Sequence, residues 1–498
     1  MKNNHWMRCF LSIVAVLLVS LYVPTALAFC GFFVAKADAK LYNSSSRVII
    51  AHSGNRSVFT MANDYQGDVR DFARIVPIPV IPTREQVRIG NPDIVNRLDG
   101  FTAPRLVQYL DEPCREEYGG YLAIGGTIAF LSLFGWVVWR LRGLAGLLEV
   151  LIALFIIALL TVISLPSFMT QANKARQSLD RAETVVVEDQ FTVGEYDVAI
   201  LSAEQSDGLT DWLQQNGYNV PANAKPMLQD YIEQQMKFFV VKVNLDAFDQ
   251  EGFGFLRPIV LDYESPKFML PMRLGTLNAR ADQDLIIHIL SPVSLAEVAN
   301  YRNVPIPTDY QSRRRRPSGE ELPAFIKADF GVFYEAMFQK EYERQGKNAI
   351  FLEYAGVTGR CDPCSASPLT VEELQAAGAF WVNPNERWSD TYITRLHVRY
   401  TQEKFPADLF FREVDRAELL DRLGQASNYI SRGGAFFQGR YVVRQTKGPA
   451  FCLAGLGYRH SLHHWRRQWA RNLARLTGWE FKEIQEKMKA RRLASRSS

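Results

Sequence analysis

Two apolar runs set only four residues apart constrain this chain more than any other feature. Residues 121–139 (YLAIGGTIAFLSLFGWVVW) number nineteen and carry no charge, and residues 144–165 number twenty-two and carry only Glu149. At about 1.5 Å per helical residue, each run reaches across a hydrocarbon core about 30 Å thick. The pair reads as a transmembrane helical hairpin whose turn is Arg140-Leu141-Arg142-Gly143. Arginines on so short a turn place it in the cytoplasm, and Trp136 and Trp139 fall in the aromatic belt at the interface. The acidic flank Asp111, Glu112, Glu116 and Glu117 precedes the first run. Glu149 lies near the start of the second run, where its side chain can snorkel to the headgroups.

The N-terminus gives the same address. Lys2 and Arg8 precede or open an apolar stretch that closes on the small-residue signal Ala26-Leu27-Ala28. Residues 1–28 therefore read as an export signal, with a mature start at Phe29. In an oxidising compartment the remaining cysteines, Cys30, Cys114, Cys361, Cys364 and Cys452, should mostly pair. Pairing Cys30 with Cys114 would close the first exported segment, although spacing does not fix connectivity.

The rest of the chain patterns as a mixed α+β body with mostly antiparallel strands. RVIIAH and SVFTMAND flank Ser53-Gly54-Asn55, a hairpin signal. FARIVPIPVIP is a strand shortened by Pro77, Pro79 and Pro82. Helices are expected around residues 93–98 and 104–110. Further on, YDVAIL is a strand that leads into an amphipathic helix, SAEQSDGLTDWLQQNGY, and a second helix follows at residues 226–236. KFFVVKVNL, RPIVLDY, FMLPMRLGTL and DLIIHIL then read as consecutive strands, and residues 313–316, four arginines, as a polar loop. The expected organisation is a leader (1–28), a first exported part (29–120), the hairpin (121–139 and 144–165), a main domain (172–450) and basic amphipathic helices (451–498).

Charge is concentrated in that last segment. Residues 459–498 hold eleven Lys or Arg against three Glu, so the chain's net +4 is largely a C-terminal property. Leu462, Trp465, Trp469, Leu473 and Leu476 line one helical face. Thr477 and Glu480 form a capping box for a second helix carrying Phe481, Ile484 and Met488. Such helices either dock on the body with a solvated basic face or lie on anionic lipid.

Cys361-Asp362-Pro363-Cys364 is the sharpest chemical motif. A CxxC pair serves as a structural disulfide, a redox dithiol or half of a metal site. Here Ser367 and Pro368 separate it from the next helix, which Thr370 and Glu373 cap, so the helix dipole does not act on either thiol. Zinc would need more ligands. His460 and His464 share a helix face near His463 and Cys452, but no second CxxC accompanies them, so no metal site is assigned. No nucleophile elbow, phosphate-binding loop or HExxH motif occurs, and no cofactor is implied.

Several long stretches resemble a known family. FCGFFVAKADAKLYNSSSRVIIA, FTMANDYQGDVRDFARIVPIPV, TAPRLVQYLDEPC, VGEYDVAILSAEQSDGLTDWLQQNGY, LRPIVLDYESPKFMLPMRLG and CDPC are similar to an exported bacterial group catalogued as domain-of-unknown-function family 2330. The likeness covers most of residues 29–450 and implies an exported bacterial protein with no catalytic residues to carry over. The hairpin reads as an insertion into that pattern. Residues 142–170 also resemble, over a short span, the N-terminal helix of type IV pilins, with Glu149 and Pro166 at the pilin-like interval but Leu144 where the processing site wants Gly. The expectation is an inner-membrane protein with an extracytoplasmic body that acts as a non-catalytic binding or envelope-associated module. The alternatives are a thiol–disulfide oxidoreductase using Cys361 and Cys364, and a pilin-like assembly subunit. Expected partners are the lipid bilayer and envelope proteins, with no nucleic acid.

Overall fold

The computed structural model describes residues 32–33, 45–62, 73–111, 185–251 (except 217, 219 and 222), 256–278, 282–308, 320–359, 367–386, 389–422, 437–446 and 453–497. The leader, the hairpin, the pilin-like stretch, the four arginines at 313–316 and Cys30, Cys114, Cys361, Cys364 and Cys452 lie outside them. Among the described residues no helix is long and apolar enough to cross a membrane. They form a mixed α+β body, most of it sheet.

The largest sheet has nine strands. In spatial order these are β14 (Arg302–Pro305), β16 (Ala349–Val357), β17 (Tyr392–Tyr400), β12 (Gln283–Ser291), β2 (Ser45–Ser53), β3 (Arg56–Ala62), β10 (Ile259–Glu264) and β5 (Val87–Ile89), with β19 (Phe437–Gln438) beside β16. A five-stranded sheet runs β1 (Phe32–Phe33), β4 (Ala73–Ile78), β9 (Lys237–Val243), β8 (Tyr196–Ala203), β7 (Val185–Val193). Two three-stranded sheets are β11 (Met269–Leu270), β18 (Leu409–Val414), β13 (Leu295–Val298) and β15 (Glu320–Leu322), β20 (Arg440–Thr446), β6 (Arg105–Asp111). Pairing is antiparallel except for β12 with β2, β14 with β16, and β20 with both β15 and β6. Strands from both sides of residues 112–184 share three of these sheets.

Period-two alternation explains the layering. Val48 and Ile50 of β2, Phe59 and Met61 of β3, and Leu285, Ile287 and Ile289 of β12 enter one core with Val76, Val198, Ile200, Phe239 and Val241 of the five-stranded sheet. Their neighbours Ile49, Ala51, Val58 and Leu290 face the other way, onto α1 (Pro92–Thr102) and α6 (Val371–Ala376). The outer face of the five-stranded sheet is covered by α2 (Ser206–Gln215) and α3 (Ala224–Glu233), where Leu209, Leu213, Leu228 and Tyr231 meet Leu201 and Phe238. α4 (Leu245–Glu251) and α7 (Arg416–Arg422) are short connectors, and α5 (Phe330–Arg344) packs over the β16–β17 side.

Local signals account for the boundaries. The β2–β3 hairpin turns on Gly54 at φ +64°, a conformation glycine adopts without a Cβ clash. Asn91 caps α1 by accepting from the Asp93 N–H at 2.9 Å, and the Thr370–Glu373 capping box forms at the start of α6. β4 runs through Pro77, beyond the two residues that β1 pairs, and ends before Pro79.

Two segments depart from expectation. The segment expected to be helical at 104–110 instead forms strand β6 from Arg105 on, paired in parallel with β20 more than 300 residues away, and no local periodicity announces such a partner. FMLPMRLGTL gives only the two-residue β11, because Pro271 ends it and the 3-10 turn Arg273–Asn278 follows.

The C-terminal helices α8 (Leu453–Thr477) and α9 (Phe481–Ser497) dock on the body. Trp469, Ala470, Leu473, Leu476 and Ile484 bury against Leu322, Phe325, Phe333, Met337, Tyr441 and Val443. Burial of each large side chain there contributes about 1.5–3 kcal/mol. The capping box expected from Thr477 and Glu480 does not form. The Thr477 hydroxyl donates back to the Leu473 carbonyl and accepts from the Trp479 N–H, while Gly478 ends α8 at φ +81°.

Candidate functional site

β17 reads YITRLHVRY, and its alternate residues Arg395, His397 and Arg399 share a face that α1 and α5 cover. Asp284 and His288 of β12 stand opposite Arg399 and Arg395 on that face. A sixth member comes from a bulge: the β16–β17 register slips between Leu352 and Tyr354, and Glu353 is turned into the group. Seven ionisable side chains form a line of alternating charge, Arg47, Asp99, Arg395, Glu353, His397, Asp284 and Arg399.

The geometry leaves the centre fully engaged. Arg395 Nε donates to Glu353 Oε2 at 2.5 Å, and its Nη1 donates to Asp99. His397 lies between two carboxylates, Nδ1 at 2.8 Å from Glu353 and Nε2 at 3.0 Å from Asp284. Arg399 grips Asp284 with two bonds of 2.7 Å. An aromatic stripe on α5 at four-residue spacing matches this row. Tyr334 donates to Glu353, Phe338 stacks on His397 with centroids 3.9 Å apart, and Tyr342 lies near Arg399.

Burial and charge set the protonation states. Burial opposes ionisation of Glu353, yet the Arg395 guanidinium and His397 outweigh it and hold the carboxyl at about 2. Asp284, also buried, is held at about 2 by its bonds to His397 and Arg399. Burial would lower His397, but Glu353 and Asp284 raise it, so it carries the charge between them. His288, fully buried beside Arg395, is pushed the other way, to about 3, and stays neutral. Its Nε2 lies 3.1 Å from Arg395 Nη1 and therefore accepts, which puts the proton on Nδ1. Glu353 is sealed from solvent and every carboxylate in the row is bonded to at least one cation, an arrangement that clamps two helices to a sheet.

The open site is elsewhere. A cleft of about 810 Å3 lies between α8, α9, the C-terminal end of β20 and the 3-10 turn Ala324–Lys327. That volume suits a small ligand or a headgroup. Phe325, Leu462, Trp469 and Met488 supply its apolar wall, while Arg444, Arg466, Arg467, Lys489 and Arg491 supply charge, and among the described residues no acid lines it. Arg467, Lys489 and Arg491 are solvent-exposed.

One corner of the cleft is tied to the end of β6. Arg444 Nη1 donates to Asp111 Oδ1 at 3.1 Å, and Tyr458 Oη donates to Asp111 Oδ2 at 2.9 Å. Glu321 holds the other side, accepting from Arg444 Nε at 2.8 Å and from Trp469 Nε1 at 2.9 Å.

The sequence motifs fall differently. Cys361 and Cys364, like Cys30 and Cys114, lie outside the described residues, but the ends of the CDPC loop are placed. The Leu369 N–H donates to the Thr358 carbonyl at 3.2 Å, so the two ends meet, and α6 starts only at Val371. His460, His463 and His464 are exposed on α8, and among the described residues no three His, Cys, Asp or Glu side chains are grouped to hold a metal ion. Sequence reasoning missed the ionic row. The alternation of Arg395, His397 and Arg399 with apolar residues was its signal, but a solvent-facing strand shows the same pattern.

Comparison with known proteins adds one match. A family model described as an uncharacterized protein conserved in bacteria, DUF2330, matches residues 24–412, most of the chain. No curated protein and no solved structure matches it.

Proposed function

Because the chain belongs to the DUF2330 family of uncharacterized proteins conserved in bacteria, we propose that it is an inner-membrane protein whose body lies on the extracytoplasmic side and works as a binding module through the basic cleft. The apolar hairpin at 121–165 supplies the tether, with Arg140 and Arg142 on the cytoplasmic turn. The observation that carries the reading is the position of Asp111. This residue ends β6, contacts two cleft residues, and precedes the first apolar run by ten residues. The cleft therefore lies where the chain departs toward the tether, and its lining selects an anionic group.

A non-catalytic role fits the chemistry of the ionic row. Its acids and bases are spent on one another, and its centre is closed by α1 and α5. Membrane fractionation tests the reading. The chain is expected to stay with membranes after alkaline carbonate extraction, and its body to be digested by protease added outside intact spheroplasts. Release by carbonate, or a body protected until the membrane is lysed, would overturn it.

A further inference from the structure

We infer that the cleft faces the bilayer and takes the phosphate headgroup of an anionic phospholipid. The inference rests on the tethered reading and adds the ligand. Nine residues lie between Asp111 and Tyr121, the first residue of the apolar run, so Tyr121 is ten residue steps away. A fully extended chain of that length spans at most about 35 Å. Asp111 is fixed to Arg444 and Tyr458, both of which line the cleft, so the cleft cannot lie farther than this from the point of membrane entry by much more than its own width.

The lining matches a headgroup at that height. Arg466 and Arg467 come from α8, and Lys489 and Arg491 from α9, so cations approach from two helices across one opening. Arg444, the cation deepest in the sheet, is already held by Glu321 and Asp111 and serves as framework. The exposed Arg467, Lys489 and Arg491 are the groups available to a phosphate. Leu462 and Met488, both half-buried, offer apolar surface beside them, which a soluble anion would not use but a glycerol and the first acyl carbons would. Basic residues close to an anionic surface strengthen attachment roughly fivefold each.

The test uses the full chain in detergent, titrated with phosphatidylglycerol or phosphatidylcholine and read by native mass spectrometry for retained lipid. Two charge-matched variants are compared: Arg467→Glu with Lys489→Glu in the cleft, and Arg471→Glu with Lys482→Glu, exposed residues of the same helices outside its lining. The expected result is preferential retention of phosphatidylglycerol that falls at least about tenfold in the cleft variant and stays unchanged in the control. Equal loss in both variants, or equal retention of the two lipids, overturns the site. Displacement by glycerol phosphate at the same concentration as the lipid also overturns it, in favour of a soluble anion. Carbonate extraction of the same preparations separates the two levels. A chain that stays in the membrane but shows no cleft-dependent lipid loses only the ligand, whereas a chain released by carbonate loses the tether as well.

Discussion

Nδ1 of His397 lies 2.8 Å from Oε1 of Glu353, the residue at which β16 slips its register against β17. That contact joins the two halves of the ionic row. Removing Glu353 leaves Arg395 and His397 buried without their shared counter-charge and deprives Tyr334 of its acceptor. Glu353→Ala is expected to cost about 3–5 kcal/mol, because breaking a buried pair strands the surviving charge. Denaturant unfolding of the detergent-solubilised chain measures it, and a loss below about 1 kcal/mol would show that the row carries no such weight.

His397 in the row and His288 beside it make stability depend on pH in opposite senses. His397 has a folded pKa above the ordinary 6.5, so its contribution is complete below that value and is lost as pH rises through the folded one. His288 is lowered to about 3, so its contribution is complete above 6.5 and declines as pH falls toward about 3. Glu353 and Asp284, each held at about 2, add to the acid limb below their ordinary values of 4.5 and 3.8. The thermal midpoint should therefore peak near pH 6.5. His397→Gln should flatten the alkaline limb and His288→Gln the limb just below the peak. A midpoint that climbs steadily from pH 6 to pH 9 would refute the assignment.

Docking of the C-terminal helices rests on α8. Leu473 is fully buried against the body, while Arg471, two residues away, is exposed. Leu473→Ala should cost about 2–5 kcal/mol through loss of contact and the cavity left behind. Arg471→Ala should stay within about 0.5 kcal/mol. Limited proteolysis provides a second readout, with faster cleavage within residues 453–497 expected only for the Leu473 variant.

The segment that holds CDPC begins and ends at a fixed neck, Thr358 and Leu369, with α6 beginning downstream of it. A helix N-terminus stabilises a reactive thiolate, and the next described helix starts only at Val371, seven positions beyond Cys364. If the body is exported as proposed, trapping free thiols in cells should find Cys361 and Cys364 stably oxidised to each other. A pair that exchanges readily with a mild thiol buffer would favour the oxidoreductase alternative instead.

Local patterns were readable and long-range partners were not. The β2–β3 hairpin, the α6 capping box and the apolar stripe Trp469–Leu473–Leu476 all follow from residues within one turn of each other. Strand β6 looked helical because, among the described residues, its only ladder is to β20, far along the chain. Arg395, His397 and Arg399 alternate with apolar residues as a solvated strand face does, and nothing local says that α1 and α5 will cover them. Half of the cleft was foreseen, as a basic amphipathic helix pair. Its other wall holds Arg444, bonded from behind by Asp111, and arrives through that same parallel pairing.

Reporter fusions at three points test the central claim most directly. Alkaline phosphatase, active only outside the cytoplasm, is joined after Asp111, after Arg142 and after Ser178. The account predicts activity at Asp111 and Ser178 and none at Arg142. Activity at all three points, or silence at Ser178, would contradict a hairpin tether that returns the body to the outer side.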